Sequence, residues 1–476
     1  MNSRPTLSLV PLALALLLAG CAVGPRYERP EAALSTAFKE APAADGWVPA
    51  QPGDALERGD WWTRFGDAEL NALAARVQIS NQNIAAATAN YAQAQALVRG
   101  QQASLFPTLS VTAGDRRGGP VRGGGGSSRS YSAGLAADWA PDLWGRIDQS
   151  VAASQANAQA SAADLASARL SAIGALTSNY LSLREADAEI GLLDDTITGY
   201  ERAFEITRNR YDAGIVAQSD VLQAQTQLLS AQAERVALRR TRATYEHAIA
   251  VLVGVAPADL SITPKAWSPT VPAVPTGVPS LLLQRRPDIA AAERDVAAAN
   301  AQIGIARAAY YPNIGLSAGL SGSASRVGDL FSASSLLWSL GVSLAQTVFD
   351  AGARDATLDA TRAGYETRVA QYRQTVLSAF QDVEDQLSAT AALAEQDGLR
   401  RSASQAADRT EQQMLNRYRA GQVSYSDVVN AQAQALSARR TLAQLQLSRQ
   451  LAAVSMVQAL GGGWEADWLR PDATAR

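Results

Sequence analysis

The chain writes one stretch twice, and this repetition limits the fold more than any other feature. Asn209–Ala231 and Asn416–Ala438 align at a register of 207 residues, with 15 of 23 positions identical. Both copies read Asn-Arg-Tyr-x-Ala-Gly-x-Val, then Ser-Asp-Val three residues on. Gly214 in the first copy and Gly421 in the second each stand between two helical patterns, which predicts a helix-turn-helix tip. The fold must therefore present two equivalent tips. That requirement overrides the roughly three domains that length alone suggests.

The flanks repeat as well. Asp67–Gln102 is rich in Ala, Gln and Asn and free of proline, so it reads as a helix that Phe106-Pro107 ends. From Thr108 to Gly114, and again from Tyr131 to Trp139, apolar and small polar residues alternate, which is the period of a strand with one apolar face. A Gly-rich loop containing Gly123–Gly126 lies between them. From about Trp144 to Tyr211 there is no proline and little glycine. At ~1.5 Å per residue this helix is on the order of 100 Å long. Leu183, Ile190, Ile197, Phe204 and Tyr211 recur every seventh residue, with Tyr180, Leu193 and Tyr200 filling in, as in a coiled-coil seam. Ser219–Val253 runs back from the tip to Gly254. A proline-rich stretch over 255–283 separates this plan from its copy. In the copy, Ile289-Ala290-Ala291-Ala292 repeats Ile84-Ala85-Ala86-Ala87, and Tyr311-Pro312 repeats Phe106-Pro107. Ile314–Leu320 and Trp338–Leu344 are the third and fourth strands. Asp355–Tyr418 is the second long helix, with Val369, Val376 and Val383 spaced by seven, and a return helix reaches Leu460 before Gly461. The expected organisation is a leader over 1–20, an arm over 21–66, a first repeat over 67–254, a linker over 255–283, a second repeat over 284–461 and a tail over 462–476.

Composition excludes most chemistry. One His and one Cys leave no metal cluster, catalytic triad or redox pair, so no enzyme and no cofactor are expected. A net charge of −3 carries no nucleic-acid footprint. His247 reads as a surface or packed residue. Gly123–Gly126 lacks the Lys-Ser/Thr of a phosphate loop. Asp382, Glu384 and Asp385 read as solvated or lumen-facing charges on a helix. Pro287 and Asp288 read as a helix start, with Arg285 and Arg286 solvated or salt-bridged.

The N-terminus says where the chain goes. Arg4 followed by the apolar run Leu7–Leu18 is a signal peptide, too short to span a bilayer. It ends in Leu18-Ala19-Gly20-Cys21, the lipobox pattern, in which the cysteine is acylated and becomes the new N-terminus. Several acyl chains on Cys21 would anchor the chain stably. Ala22 follows, which resembles lipoproteins sent to the outer membrane.

Two strand pairs of about ten residues match a bilayer-crossing sheet. Unpaired edges in lipid cost several kcal/mol per backbone group. Four strands cannot close alone, so the chain must oligomerise. Two copies give eight strands and a filled barrel; three give twelve, which can hold water. The long helices carry too many Arg, Asp and Gln for lipid and must project from the barrel. Trp139, Trp144 and Trp338 belong either to interfacial girdles or to the junction of strands and helices.

These residues resemble the TolC-like outer-membrane efflux proteins of the lipoprotein OprM/NodT type. The resemblance is carried by Cys21-Ala22-Val23-Gly24-Pro25-Arg26-Tyr27, by Trp61-Trp62 before Phe65-Gly66-Asp67, by Arg286-Pro287-Asp288-Ile289 running on through Ile303–Ala308 to Tyr311-Pro312, and by the doubled tips. It implies an α+β membrane protein: a homotrimer with a twelve-stranded β-barrel continued by an α-helical periplasmic tunnel. It implies an outer-membrane conduit for small molecules, which docks through its tips, at Gly214 and Gly421, to a periplasmic adaptor coupled to an inner-membrane pump. It also implies a gate in which Tyr418 of the second tip contacts Asp220 of the first, with Asp427 in an acidic ring. Asp427 and Asp220 can equally be helix N-terminal residues beside a turn, and Tyr211 and Tyr418 can be core residues of the tips. Val423 and Asn430 depart from relatives that carry an arginine and an acid there, which leaves fewer polar links. Alternative functions are a type I protein-secretion duct and a non-conducting trimeric coiled coil.

Overall fold

A computed structural model of the chain describes residues 23–31, 38–40, 60–119, 121, 127–272 and 286–462. Cys21, the leader, most of the 462–476 tail and the Gly123–Gly126 loop lie outside the described residues. The elements are α1 (Ala68–Ser80), α2 (Gln82–Ala103), β1 (Thr108–Gly118), β2 (Ser128–Trp139), α3 (Arg146–Asp212), α4 (Gln218–Leu252), α5 (Pro287–Ala308), β3 (Asn313–Ala324), β4 (Leu336–Ala345), α6 (Ala353–Arg419) and α7 (Tyr425–Ala459). The duplication is met residue for residue: α2 and α5 both have 22 residues, α3 and α6 both 67, α4 and α7 both 35. Among the described residues no helix is long and apolar enough to cross a membrane.

Two compact units divide the described chain, and each draws matching pieces from both repeats. The first holds residues 23–31, 90–162 and 291–373. Its centre is one antiparallel sheet in the order β1-β2-β3-β4. The register sorts the side chains by chemistry. One face carries Leu109, Val111 and Ala113 on β1, Ala133, Leu135 and Ala137 on β2, Ile314, Leu316, Ala318 and Leu320 on β3, and Trp338, Leu340, Val342 and Leu344 on β4. The opposite face carries Ser, Thr and Gly almost throughout, from Ser110 and Thr112 to Ser339 and Ser343. Most of the large apolar side chains are exposed in the chain by itself, while Ile314 and Leu316 are half-buried. A sheet built this way separates an apolar medium from water. Among the described residues β1 and β4 each have a partner on one side only.

The ends of the strands nearest the helices are pinned by tryptophans. Trp144 stacks on Tyr311 at 5.0 Å and donates from Nε1 to the Pro312 carbonyl at 2.7 Å. Trp139 Nε1 donates to the Leu105 carbonyl at 2.9 Å. Both therefore serve the junction, while Trp338 stays exposed on the apolar face. The N-terminal segment lies along the same unit: the Val23 N–H donates to the Trp144 carbonyl at 3.4 Å, and Asn300 Nδ2 donates to the Pro25 carbonyl at 3.1 Å.

The second unit holds residues 38–40, 60–89, 163–272, 286–290 and 374–462. Its core is the expected seam: Tyr180, Leu183, Leu193, Ile197 and Tyr200 are buried, as are Val376 and Val383. Tyr211, placed by its spacing in the same seam, is 41% exposed, because the seam ends where the tip turns. The Asp67–Gln102 helix is two helices broken at Asn81. Asn81 takes an extended backbone (φ −68°, ψ 124°). Its Oδ1 accepts from the N–H groups of Asn83 and Ile84, capping α2, and its Nδ2 donates to the Leu252 carbonyl at 2.7 Å. Gly254 fits beside this break because a Cβ there would meet the Ser80 carbonyl oxygen at 2.1 Å, and its φ of +76° also favours glycine. The linker is anchored over its described part: Arg242 donates to the Ile262 carbonyl, and Gln450 Nε2 donates to the Ser268 and Thr270 carbonyls. Pro287 begins α5, and Arg286 pairs with Asp288 at 2.7 Å and Asp382 at 2.9 Å. Glu384 accepts from the Lys39 and Glu40 N–H groups, and Asp385 accepts from Gln381; Asp382 and Asp385 are exposed, as expected of solvated charges.

Candidate gate at the helical tips

Both tips close in the same way. At the first, Gly214 has φ +73°, its N–H donates to the Tyr211 carbonyl at 2.8 Å, and Ile215 N–H donates to the Arg210 carbonyl at 2.8 Å. At the second, Gly421 has φ +71°, with Gly421 N–H to the Tyr418 carbonyl and Gln422 N–H to the Arg417 carbonyl, both at 2.9 Å. This paired bonding around a left-handed residue satisfies the last carbonyls of each long helix. Nothing lies within 4 Å of either glycine's missing Cβ, so both turns face open space.

The return helices begin differently. Ala217 offers α4 no side-chain cap. Ser424 caps α7 in a reciprocal box: Asp427 N–H donates to Ser424 Oγ at 3.4 Å, and Ser424 N–H donates to Asp427 Oδ2 at 3.0 Å. The Ser424 hydroxyl also donates to Asp427 Oδ2 at 2.6 Å. Asp427 is therefore a capping residue whose carboxylate remains exposed. Asp220, its counterpart, is half-buried and has no side-chain partner among the described residues.

Tyr418 is buried at the tip. It packs with Ala224, Tyr425, Val428 and Val429, with Phe204 and Met414 alongside. Its ring lies 5.5 Å from Tyr425, and the Arg210 guanidinium sits 5.0 Å above it. Burial, then the neighbouring Tyr418 and Tyr200, pushes the Tyr425 hydroxyl up to about 12. The Tyr418 hydroxyl is buried and has no hydrogen-bond partner among the described residues. The Tyr418–Asp220 contact implied by the resemblance is thus not made in this conformation, and the ring belongs to the packed core of the tip.

Higher along the helices lies a buried charged cluster that the sequence reading missed. Glu189 of α3 is 2% exposed and accepts from Arg440 Nη2 at 3.3 Å and Gln444 Nε2 at 2.9 Å, both from α7. Arg440 also pairs with Glu234 of α4. Glu185, one turn before Glu189, is buried with Oε1 unpartnered; burial first, and the Glu189 charge second, push its carboxyl up to about 8. The signal available was two glutamates spaced by four within a heptad seam, in a stretch that also carries Arg184 and Asp187.

The outer membrane efflux protein family model matches residues 73–255 and 278–462, one copy on each repeat. The chain belongs to the outer membrane efflux protein family. It is 32% identical over 469 residues to the probable efflux pump outer membrane protein TtgC of Pseudomonas putida, covering 96% of each chain. It is 28% identical to the cation efflux system protein CusC of Escherichia coli, covering 96% of this chain and 99% of that protein. Among solved structures it superposes on the outer-membrane channel OprN with a TM-score of 0.84 and 30% identity, covering 93% of this chain and all of that one. Like these relatives, this efflux protein is an outer-membrane channel subunit of an efflux system, with its sheet in the membrane and its helices on the periplasmic side. The α+β fold with a long helical portion is the one expected from the residues.

Proposed function

We propose that three copies of the chain close into a twelve-stranded duct, a passive conduit through which small molecules leave. The observation that carries this reading is the two-faced sheet with both edges open: β1 and β4 can be satisfied in lipid only by strands of another copy. The small polar face suits a water-filled interior of twelve strands, which eight would fill with side chains. A second feature agrees. Leu222, Leu229 and Val236 form an exposed stripe on α4, spaced by seven. Their counterparts in the second repeat, Val429, Leu436 and Ala443, are buried or half-buried within the chain. In a ring of alternating hairpins, the stripe on α4 meets the second hairpin of the next copy as α7 meets the first hairpin of its own. The test is cysteine pairs placed on β1 and β4. Oxidation should give a covalent ladder that ends at three chains; a ladder ending at two, or none for any pair, contradicts the reading.

The tips are the gate and the docking end for a periplasmic adaptor linked to an inner-membrane pump. Tyr418 and Asp220 are two halves of a latch that is open in this conformation, each lacking the partner the other offers. Making that bond would satisfy a buried hydroxyl, whose orphaned state costs roughly 1–3 kcal/mol. Asp427 sets the second tip through its cap and presents an exposed charge at the mouth. Cys21 carries the lipid anchor. Cys21→Ser is expected to release the chain from lipid anchoring while leaving trimers able to form; retained acylation in this variant would contradict the assignment.

A further inference from the structure

The apolar face of the sheet ends in a row of arginines. On β1 the outward alternation runs Leu109, Val111, Ala113, Asp115, Arg117, and on β2 it runs Trp139, Ala137, Leu135, Ala133, Tyr131, Arg129. Arg117 and Arg129 are directly opposed across the two strands, on the same face. Like charges placed so are destabilising unless something neutralises them. Asp115 serves Arg129, with bonds of 3.0 and 2.6 Å, and the Arg129 guanidinium also lies 4.8 Å over the Tyr131 ring. Among the described residues Arg117 bonds to the Ser127 hydroxyl alone, at 3.3 and 3.4 Å. Arg326 stands two residues beyond Ala324, the partner of Tyr131 on β3, with an extended backbone and an exposed side chain. Among the described residues no carboxylate pairs with Arg117 or Arg326. Two arginines on adjacent strands and a third just past the end of β3 therefore have one aspartate between them.

Their depth says what meets them. From Trp139 to Tyr131 is eight residues, about 27 Å along the strand and about 21 Å along the membrane normal at a usual strand tilt. The arginines lie just past that band, at the end of the sheet away from the helices. Because the helices are periplasmic, this end lies at the outer leaflet.

We infer that Arg117, Arg129 and Arg326 form a binding site for the phosphate of an outer-leaflet glycolipid, whose acyl chains lie on the apolar strip below. Guanidinium forks match phosphate oxygens two at a time. A soluble phosphate would have no use for the apolar strip, so the site commits to a lipid. The inference rests on the outer-leaflet position of this end of the sheet and is independent of the gate.

The test is binding of diphosphorylated lipid A to the full-length assembled protein in detergent, read by native mass spectrometry or isothermal titration. Dephosphorylated lipid A and inorganic phosphate are the comparison probes. The phosphorylated lipid is expected to bind about tenfold more tightly than the dephosphorylated one, the scale of one charge-assisted bidentate contact. Arg117→Gln combined with Arg326→Gln should remove that preference, and both changes leave the Asp115–Arg129 pair in place. Asp115→Asn frees Arg129 and should tighten phosphorylated-lipid binding several-fold, a gain that misfolding cannot produce. Equal affinity for both lipids, an unchanged preference in the double variant, or weaker binding in Asp115→Asn each overturns the proposal. Full competition by millimolar inorganic phosphate would make this a site for free anions and overturns the lipid assignment.

Discussion

The Tyr418 ring packs against Tyr425 at 5.5 Å while its hydroxyl, buried beside it, bonds to none of the described residues. In this conformation the ring supports the tip and the oxygen does not. Tyr418→Phe should therefore leave the second tip as stable as before, or slightly more so, since it deletes an unsatisfied group. Tyr425→Ala removes a buried ring from the same cluster and should cost about 3–5 kcal/mol locally. Hydrogen exchange of the α6 and α7 amides near Gly421 would show the difference; equal loss of protection in both variants would mean that the hydroxyl has a partner.

Ser424 and Asp427 share one capping box, so their removal should look alike in stability. Ser424→Ala and Asp427→Ala are each expected to cost about 1 kcal/mol at the start of α7, seen as faster exchange over its first turn. The charge of Asp427 is a separate matter. Asp427→Asn keeps an acceptor and should lower cation preference in a reversal-potential measurement, whereas Ser424→Ala should leave it alone. An identical reversal potential in Asp427→Asn and the parent would remove the mouth-charge role.

Glu185 gives the helical unit a pH dependence. Its carboxyl is raised in the folded chain, by burial and then by Glu189, from an ordinary 4.5 to about 8. The folded chain thus holds a proton that the unfolded chain gives up, and stability falls as pH rises across that window. The groups around it are Glu189 on its own helix, Arg440 and Gln444 from α7, and Glu234, itself paired to Arg440, from α4. Melting of the solubilised protein should shift downward between about pH 5 and 9, and Glu185→Gln, neutral throughout, should flatten the slope. A steeper slope in Glu185→Gln would contradict the assignment.

The α4 stripe supplies a test of assembly independent of the sheet. Leu229 is exposed in the single chain and would be covered by the next copy. Leu229→Asp should leave the helical content of the chain intact and reduce the trimer fraction in light scattering. An unaffected trimer would place the stripe outside the contact between copies.

Much of this architecture is visible in the residues. The doubled tip sets the repeat, period two sets the strands, and period seven sets the seam, because each of these signals recurs along the chain. What the pattern misses has local or tertiary causes. The break at Asn81 hides in a proline-free run, and its reason is the Leu252 carbonyl, 171 residues away. β1 runs on to Gly118 past the point where its alternation turns charged, because a strand continues beyond the lipid even when its side chains become polar. At the tips, the family resemblance pointed to Tyr418, Asp220 and Asp427, but spacing could not show that Asp427 closes a box with Ser424 or that Tyr418 is held by Tyr425. Glu189 and Arg440 meet only after α3 and α7 pack together.

Planar-bilayer recording asks whether the chain forms a water-filled duct that its tips can latch shut. The parent protein should conduct weakly. Tyr418→Phe, Asp220→Ala and the double variant should each raise single-channel conductance, and the double variant should add little to either single change, since each removes one half of the same latch bond, which belongs to the shut state and is unmade in the conformation described here. Conductance that is unchanged in all three, or a bilayer that never conducts with any of them, would contradict the claim.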